Sequence, residues 1–199
     1  AEGTIQRTTN GGVNWTVVRR EFRTGWYGVS FSDVNSGVAV GWSGIIRTTD
    51  GGVTWITDSL SGSGLLQDVS MNSPYGLAVG RDGVILSTSD GGASWRSQST
   101  RTTSSYLTAL TYTEPAVGFV VGDSGTILRT TNGGQQWVKL NSATDQYLSG
   151  VSFGGSENGT AVGIAGTILR TTNAGETWEQ QDSKTQRHLF AVCFVDAYV

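Results

Sequence analysis

Hydrolysis of a glycoside needs two carboxylates about 5–9 Å apart, and a catalytic triad or a zinc site needs histidine or clustered cysteine. Among 199 residues this sequence has one histidine, His188, and one cysteine, Cys193. An internal disulfide and a cysteine-cluster metal site are therefore ruled out. The acids worth testing on one face are Asp68, Asp82 and Asp123, and Asp68 reads as a lone acid without a partner. What the chain does concentrate is arginine beside aromatic residues. The segment VVRREFRTGWY holds Arg19, Arg20, Arg23, Trp26 and Tyr27, and Trp42 and Arg81 occupy short glycine-flanked turns further on. Tryptophan and arginine are favoured anchors of binding surfaces. This chemistry points to recognition of a peptide, an acidic protein surface or a glycan. No catalytic residue, metal ligand or cofactor site is expected, and the chain reads as a non-enzyme.

Bulk composition narrows the partners. Lys and Arg number 13 against 16 Asp and Glu, a net charge of −3, and charged residues are 15% of the chain, below the roughly 25% of an average protein. A nucleic-acid partner is not expected, because such binding needs clustered cations. No run of 18 apolar residues is present, so no membrane-spanning helix is expected. With 29 Gly, 2 Pro and 7 Trp, the composition favours short strands joined by tight turns.

The elements that would carry these residues come from an internal repeat. The phrases TTNGGVNW, TTDGGVTW, TSDGGASW, TTNGGQQW and TTNAGETW end on Trp15, Trp55, Trp95, Trp137 and Trp178. They share T-x-[ND]-x-G-x-x-W. The Asn or Asp (Asn10, Asp50, Asp90, Asn132, Asn173) can fix a turn by bonding backbone N–H groups, and the tryptophan can pack over it. These ten residues are read as structural. Around each complete box stand four strand-like segments in roughly 41 residues, such as YGVSF, GVAVG, TILRTT and TWITD. Four short strands per repeat of that length describe a β-propeller blade.

The fold expected is all-β: one propeller domain over 1–199, of five blades with four antiparallel strands each. Full blades span 26–59, 65–99, 106–142 and 147–183. The fifth combines 188–199 with 3–19, so that pairing of the terminal half-blades closes the ring and removes open edges. Small first-strand positions (Gly28, Ala109, Gly150, Ala191, with Asp68 the exception) fit crowding near the axis. Trp26 aligns with Leu66, Leu107, Leu148 and Leu189 and also reads as packing, whereas Trp42 has no such counterparts. Cys193 aligns with inner-strand Ser and Thr positions and is expected to be buried. His188 aligns with Tyr106 and Tyr147.

The box resembles the Asp-box, or BNR, repeat, and the longer phrase GTILRTTNGGxxW resembles the repeats of the photosystem II stability/assembly factor family. The resemblance covers nearly the whole chain and implies a non-enzymatic propeller scaffold for protein or peptide binding. It also implies a secreted, periplasmic or thylakoid-lumen-like setting, with no signal peptide in this chain. Members of that family have seven blades and this sequence supplies five repeats. Two alternatives stand beside it: a glycan-binding or glycoside-hydrolysing, sialidase-like Asp-box protein, and a fragment or engineered excision of a larger propeller. The oligomeric state is left open.

Overall fold

In the computed structural model, residues 2–57, 65–98 and 105–195 are described. They form a β-propeller with four complete blades, each an antiparallel sheet of four strands in chain order. An antiparallel pair, β1 (Glu2–Arg7) and β2 (Thr16–Phe22), precedes them. Blade I holds β3 (Trp26–Phe31), β4 (Gly37–Gly41), β5 (Gly44–Thr48) and β6 (Ile56–Thr57). Blade II holds β7 (Leu66–Asn72), β8 (Tyr75–Gly80), β9 (Ile85–Thr88) and β10 (Arg96–Gln98). Blade III holds β11 (Leu107–Glu114), β12 (Val117–Gly122), β13 (Ile127–Thr130) and β14 (Val138–Leu140). Blade IV holds β15 (Leu148–Phe153), β16 (Gly159–Gly163), β17 (Ile168–Thr171) and β18 (Glu179–Gln181).

Second and third strands are the most apolar because both their faces are covered by neighbouring blades. Val38, Val40 and Ile45 of blade I pack on Val69, Met71, Leu86 and Trp95 of blade II. Phe119 and Val121 of blade III pack in the same way on Val151, Ala161 and Trp178 of blade IV. Each first strand breaks register at the small position foreseen near the axis: between Trp26 and Gly28, Leu66 and Asp68, Leu107 and Ala109, and Leu148 and Gly150. A Cβ on Gly28 would stand 3.1 Å from the Asp68 Cα of the next blade, so the blades leave no room for a side chain there.

The two ends are asymmetric. Among the described residues β1 pairs with β2 alone, so the fifth sheet has two strands. Residues 188–195 form no strand, but they occupy the seat of a next inner strand. Phe194 donates its backbone N–H to Ser152 Oγ at 3.0 Å, repeating the 3.0 Å bond from Met71 N–H to Ser30 Oγ between blades I and II. The pairing of half-blades expected from the sequence depends partly on residues 196–199, and the outer ends of the expected blades reach 58–59 and 99. All of these lie outside the described residues. The thiol of Cys193 is exposed and not buried, because among the described residues no strand pairs with that segment.

Candidate functional site

The five boxes are one device built five times. In blade I, Thr48 Oγ1 donates to Asp50 Oδ1 at 2.7 Å and accepts the Gly52 N–H at 2.9 Å, while Asp50 Oδ1 accepts the Thr54 N–H at 2.9 Å. The same cross-turn pattern joins Thr8 to Asn10, Thr88 to Asp90, Thr130 to Asn132 and Thr171 to Asn173. Gly52 has φ +82°, and its counterparts lie between +78° and +90°, a region that favours glycine. Side-chain and backbone bonds from Thr54, with the Thr48 hydroxyl, hold the Asp50 carboxyl down at about 2; the Ser94 bonds do the same for Asp90. These acids are consumed in turn geometry. The threonine opening each box is the partner that sequence reasoning passed over, although its fivefold recurrence was the available signal.

At the opposite end of the blades, the loops entering first strands meet the turns between second and third strands. Here Tyr27, Trp42, Leu65, Gln67, Arg81, Asp82 and Tyr106 line a pocket of about 460 Å3. Trp42 is 66% exposed, and its N–H is held by the Gly25 carbonyl at 2.9 Å, so a rigid turn presents the indole to solvent. The Arg81 guanidinium lies over the Tyr106 ring, 5.7 Å from its centre, a cation–π arrangement. Tyr106 donates its hydroxyl to Gln67 Oε1 at 2.5 Å, and its ring centre is 6.5 Å from that of Tyr147. Burial raises both phenols above their ordinary value, with the Arg81 charge opposing the rise at Tyr106. Three aromatic side chains, Tyr27, Trp42 and Tyr106, and the Arg81 cation thus line one pocket.

The arginines of the sequence-derived patch do not all join it. Arg19 sits on β2 and is tied down: Nε donates to Glu21 Oε1 at 3.0 Å, Nη1 to the Trp55 carbonyl at 2.8 Å and Nη2 to Thr57 Oγ1 at 3.1 Å. It joins β2 to blade I. Arg20 and Arg23 are exposed, Arg23 with φ +61° in the turn before blade I. Trp26 is half-buried and packs against Ala39, Ile46 and Trp55, in keeping with its alignment to leucines. Tyr106 and Gln67 are pocket residues that the sequence reading left out, because each was judged within its repeat and not across blades. His188 Nδ1 accepts the Ala165 N–H at 3.2 Å, a structural duty.

Asp68 is also structural. Its Oδ2 accepts the Leu110 N–H of blade III at 2.9 Å, and Oδ1 accepts its neighbour Val69 N–H at 2.9 Å. Burial pushes its carboxyl up to about 6, against the lowering effect of those two bonds. The carboxylate does between blades II and III what Ser30 Oγ does between I and II. Arg7 crosses between sheets as well, donating from Nε to the Gly51 carbonyl at 2.6 Å.

A β-propeller with an Asp-box at every third-to-fourth-strand turn, and an aromatic and cationic pocket on the opposite loop face, defines a class of repeat scaffold. Within that class the chain belongs to the family described as Photosynthesis system II assembly factor YCF48, which it matches over residues 5–102 and 95–187. Among solved structures it is similar to YCF48 bound to D1 peptide, at 26% identity and TM-score 0.68, covering 85% of this chain and 56% of that one. It is also similar to YCF48 from Cyanidioschyzon merolae, at 20% identity and TM-score 0.74, over 98% of this chain and 72% of that one. An ancestral GH74 enzyme shares the fold, at 14% identity and TM-score 0.77, over 92% of this chain and 29% of the enzyme. This chain therefore spans little more than half of the D1-peptide-bound relative. No curated protein matches the sequence. Among the described residues, no helix is long and apolar enough to cross a membrane.

Proposed function

We propose that this chain is a binding scaffold for a peptide or protein partner, without chemistry of its own, and that it engages the partner through the loop-face pocket of Tyr27, Trp42, Arg81 and Tyr106. The observation that carries the reading is the exposed Trp42 indole on a rigid turn, facing the same pocket as the Arg81–Tyr106 pair. Membership of the YCF48 family supports it, and so does the D1 peptide bound by a relative. A segment of that kind, with apolar residues for the indole and a carboxylate for Arg81, is the ligand class. Arg20 and Arg23 lie toward the same end and speed encounter through charge. An extracytoplasmic setting, lumenal in a photosynthetic cell, accompanies this reading.

The test is titration with D1 peptide, with a crosslinking map of the complex. Trp42→Ala and Arg81→Ala should each weaken binding by more than about 1 kcal/mol. Crosslinks confined to the box face, with both variants binding normally, would refute the site. Turnover of any member of a fluorogenic glycoside panel would refute the non-enzymatic reading.

A further inference from the structure

In blades I to IV the turns that join second to third strands are held alike, and each presents one side chain at the same place. The backbone N–H groups of Trp42, Arg81, Asp123 and Ile164 donate to the carbonyls of Gly25, Leu65, Tyr106 and Tyr147, all at 2.9–3.0 Å. Blade by blade, the loop face therefore carries an indole, a cation, an anion and an aliphatic group on equivalent supports. Arg81 lies over the ring of Tyr106. Asp123 stands near Tyr147, whose phenol is raised chiefly by burial and then by Tyr106 and the Asp123 charge. The two turn charges do not neutralise each other. The described residues hold two ion pairs, Arg19–Glu21 and Lys184–Asp182, and neither Arg81 nor Asp123 takes part in one. Asp123 is half-buried, and its Oδ1 is shielded from solvent with no hydrogen-bond partner among the described residues. A buried carboxylate oxygen left without a donor is costly, and the side chain braces nothing, because the turn is held by the Asp123 N–H. Asp82 takes the second position of its turn, where its counterparts are Ser43, Ser124 and Ala165, so the alternation of charge belongs to the first positions.

We propose that Asp123 is a second charged anchor of the loop-face site and takes a lysine or arginine side chain of the bound segment, so that the site selects an extended peptide with an acid for Arg81 and a base for Asp123 two residues apart. The inference rests on the peptide-binding reading above and adds the charge pattern of the ligand. The spacing comes from the step between blades. The rings of Tyr106 and Tyr147, beside which the two charges stand, have centres 6.5 Å apart. In an extended chain residues i and i+2 point to one side and lie about 6.4–6.8 Å apart. A segment laid across the turns thus offers one side chain to each: apolar at Trp42, acid at Arg81, base at Asp123 and apolar at Ile164. The residues between them face away. A uniformly acidic or basic segment would cover one turn charge and leave it unpaired, which penalises such ligands.

The probes are two capped synthetic peptides, acetyl-Gly-Leu-Gly-Glu-Gly-Lys-Gly-Leu-Gly-amide and the same with Glu and Lys exchanged, which fits the pair with the chain direction reversed. Heteronuclear NMR titration of the 199-residue chain reads both the affinity and the amides of the four turns. At least one order should bind, with shifts at Trp42, Arg81, Asp123 and Ile164. In that peptide Lys→Gln should weaken binding about three- to fivefold in the parent protein but not in Asp123→Asn. Glu→Gln should do the same in the parent but not in Arg81→Gln. These double-mutant cycles isolate each pair, and Asp123→Asn folds because the carboxylate makes no bond that the turn needs. A Lys→Gln penalty that is absent, or equal in the parent and in Asp123→Asn, overturns the inference; if Trp42→Ala still weakens that peptide, the peptide-binding reading of the pocket stands. No binding of either order overturns the inference and leaves that reading to the D1-peptide titration. Binding indifferent to Trp42→Ala, with shifts confined to the box face, overturns both.

Discussion

The same box tryptophan should be worth very different amounts at the two ends of the chain. Trp178 is 4% exposed and packs edge-on against Phe119 and Phe153, with ring centres 6.4 and 5.9 Å away. Trp15, in the same motif position, is 58% exposed. A tryptophan presents about 250 Å2, worth about 25 cal/mol per Å2 when buried. Near-complete burial of Trp178 thus sets a ceiling of about 6 kcal/mol, and large-to-small core changes recover about 3–5 kcal/mol of such ceilings. Trp15 keeps under half of that burial, and its Nε1–H bond to the Gly12 carbonyl, at 3.0 Å, is exposed. Its loss should cost about 1–2 kcal/mol. A chain of this length shifts its Tm by about 2–4 °C per kcal/mol. Trp178→Ala should therefore lower Tm by roughly 10 °C or more, and Trp15→Ala by a few degrees. Thermal and urea unfolding, with m-values compared to check two-state behaviour, measure both. Equal losses would refute the claim that cover from the preceding blade, and not the box itself, sets the value of the tryptophan. A large loss for Trp15 alone would mean that a strand covers it in solution.

Trp137→Ala should fall between these limits, because Trp137 is half-buried and bonds the Gly134 carbonyl at 3.0 Å; the same melts test it. Asp68 makes stability depend on pH. Its folded value of about 6 lies above the ordinary 3.8, so the folded state binds the proton more tightly and stability falls as pH rises from about 4 through 6. The two-unit shift corresponds to about 3 kcal/mol at most, and urea midpoints at pH 4.5 and 7.5 should show the lower pH more stable, a trend that Asp68→Ser removes. Asp50 and Asp90 act in the opposite sense: held at about 2, they contribute stability above pH 4 that is lost as pH falls toward 2, and Asp50→Ala should flatten that acid limb. Arg20→Ala, at an exposed position, should leave partner affinity nearly unchanged at high salt and slow association at low salt, read by stopped-flow.

Fold and site differ in how far the sequence exposes them, for a physical reason. The blade is a local object. Its strands are neighbours in the chain, its turns are fixed by residues a few positions apart, and repetition shows each requirement five times. The box Asn or Asp, Gly and Trp are legible because their partners lie within eight residues. A pocket between blades has no such period. Arg81 reaches Tyr106 across 25 positions, and Tyr106 reaches Gln67 across 39. Arg81 and Gln67 differ from the residues at their positions in the other blades, whereas Tyr106 recurs as Tyr147, and only stacking the blades brings the three together. The same limit misplaced Arg19, whose density in a cationic segment suggested a free binding group. Across 36 residues it meets the Trp55 carbonyl and becomes a strut between sheets. Cys193 failed for a complementary reason: its alignment to buried inner-strand positions assumed a strand on its far side, and burial is a property of the neighbour as much as of the residue. In a propeller, then, repeated positions report how a blade is built. The exceptions report where blades meet something other than each other, and Trp42, exposed at a turn where the other repeats carry no aromatic, is one such exception.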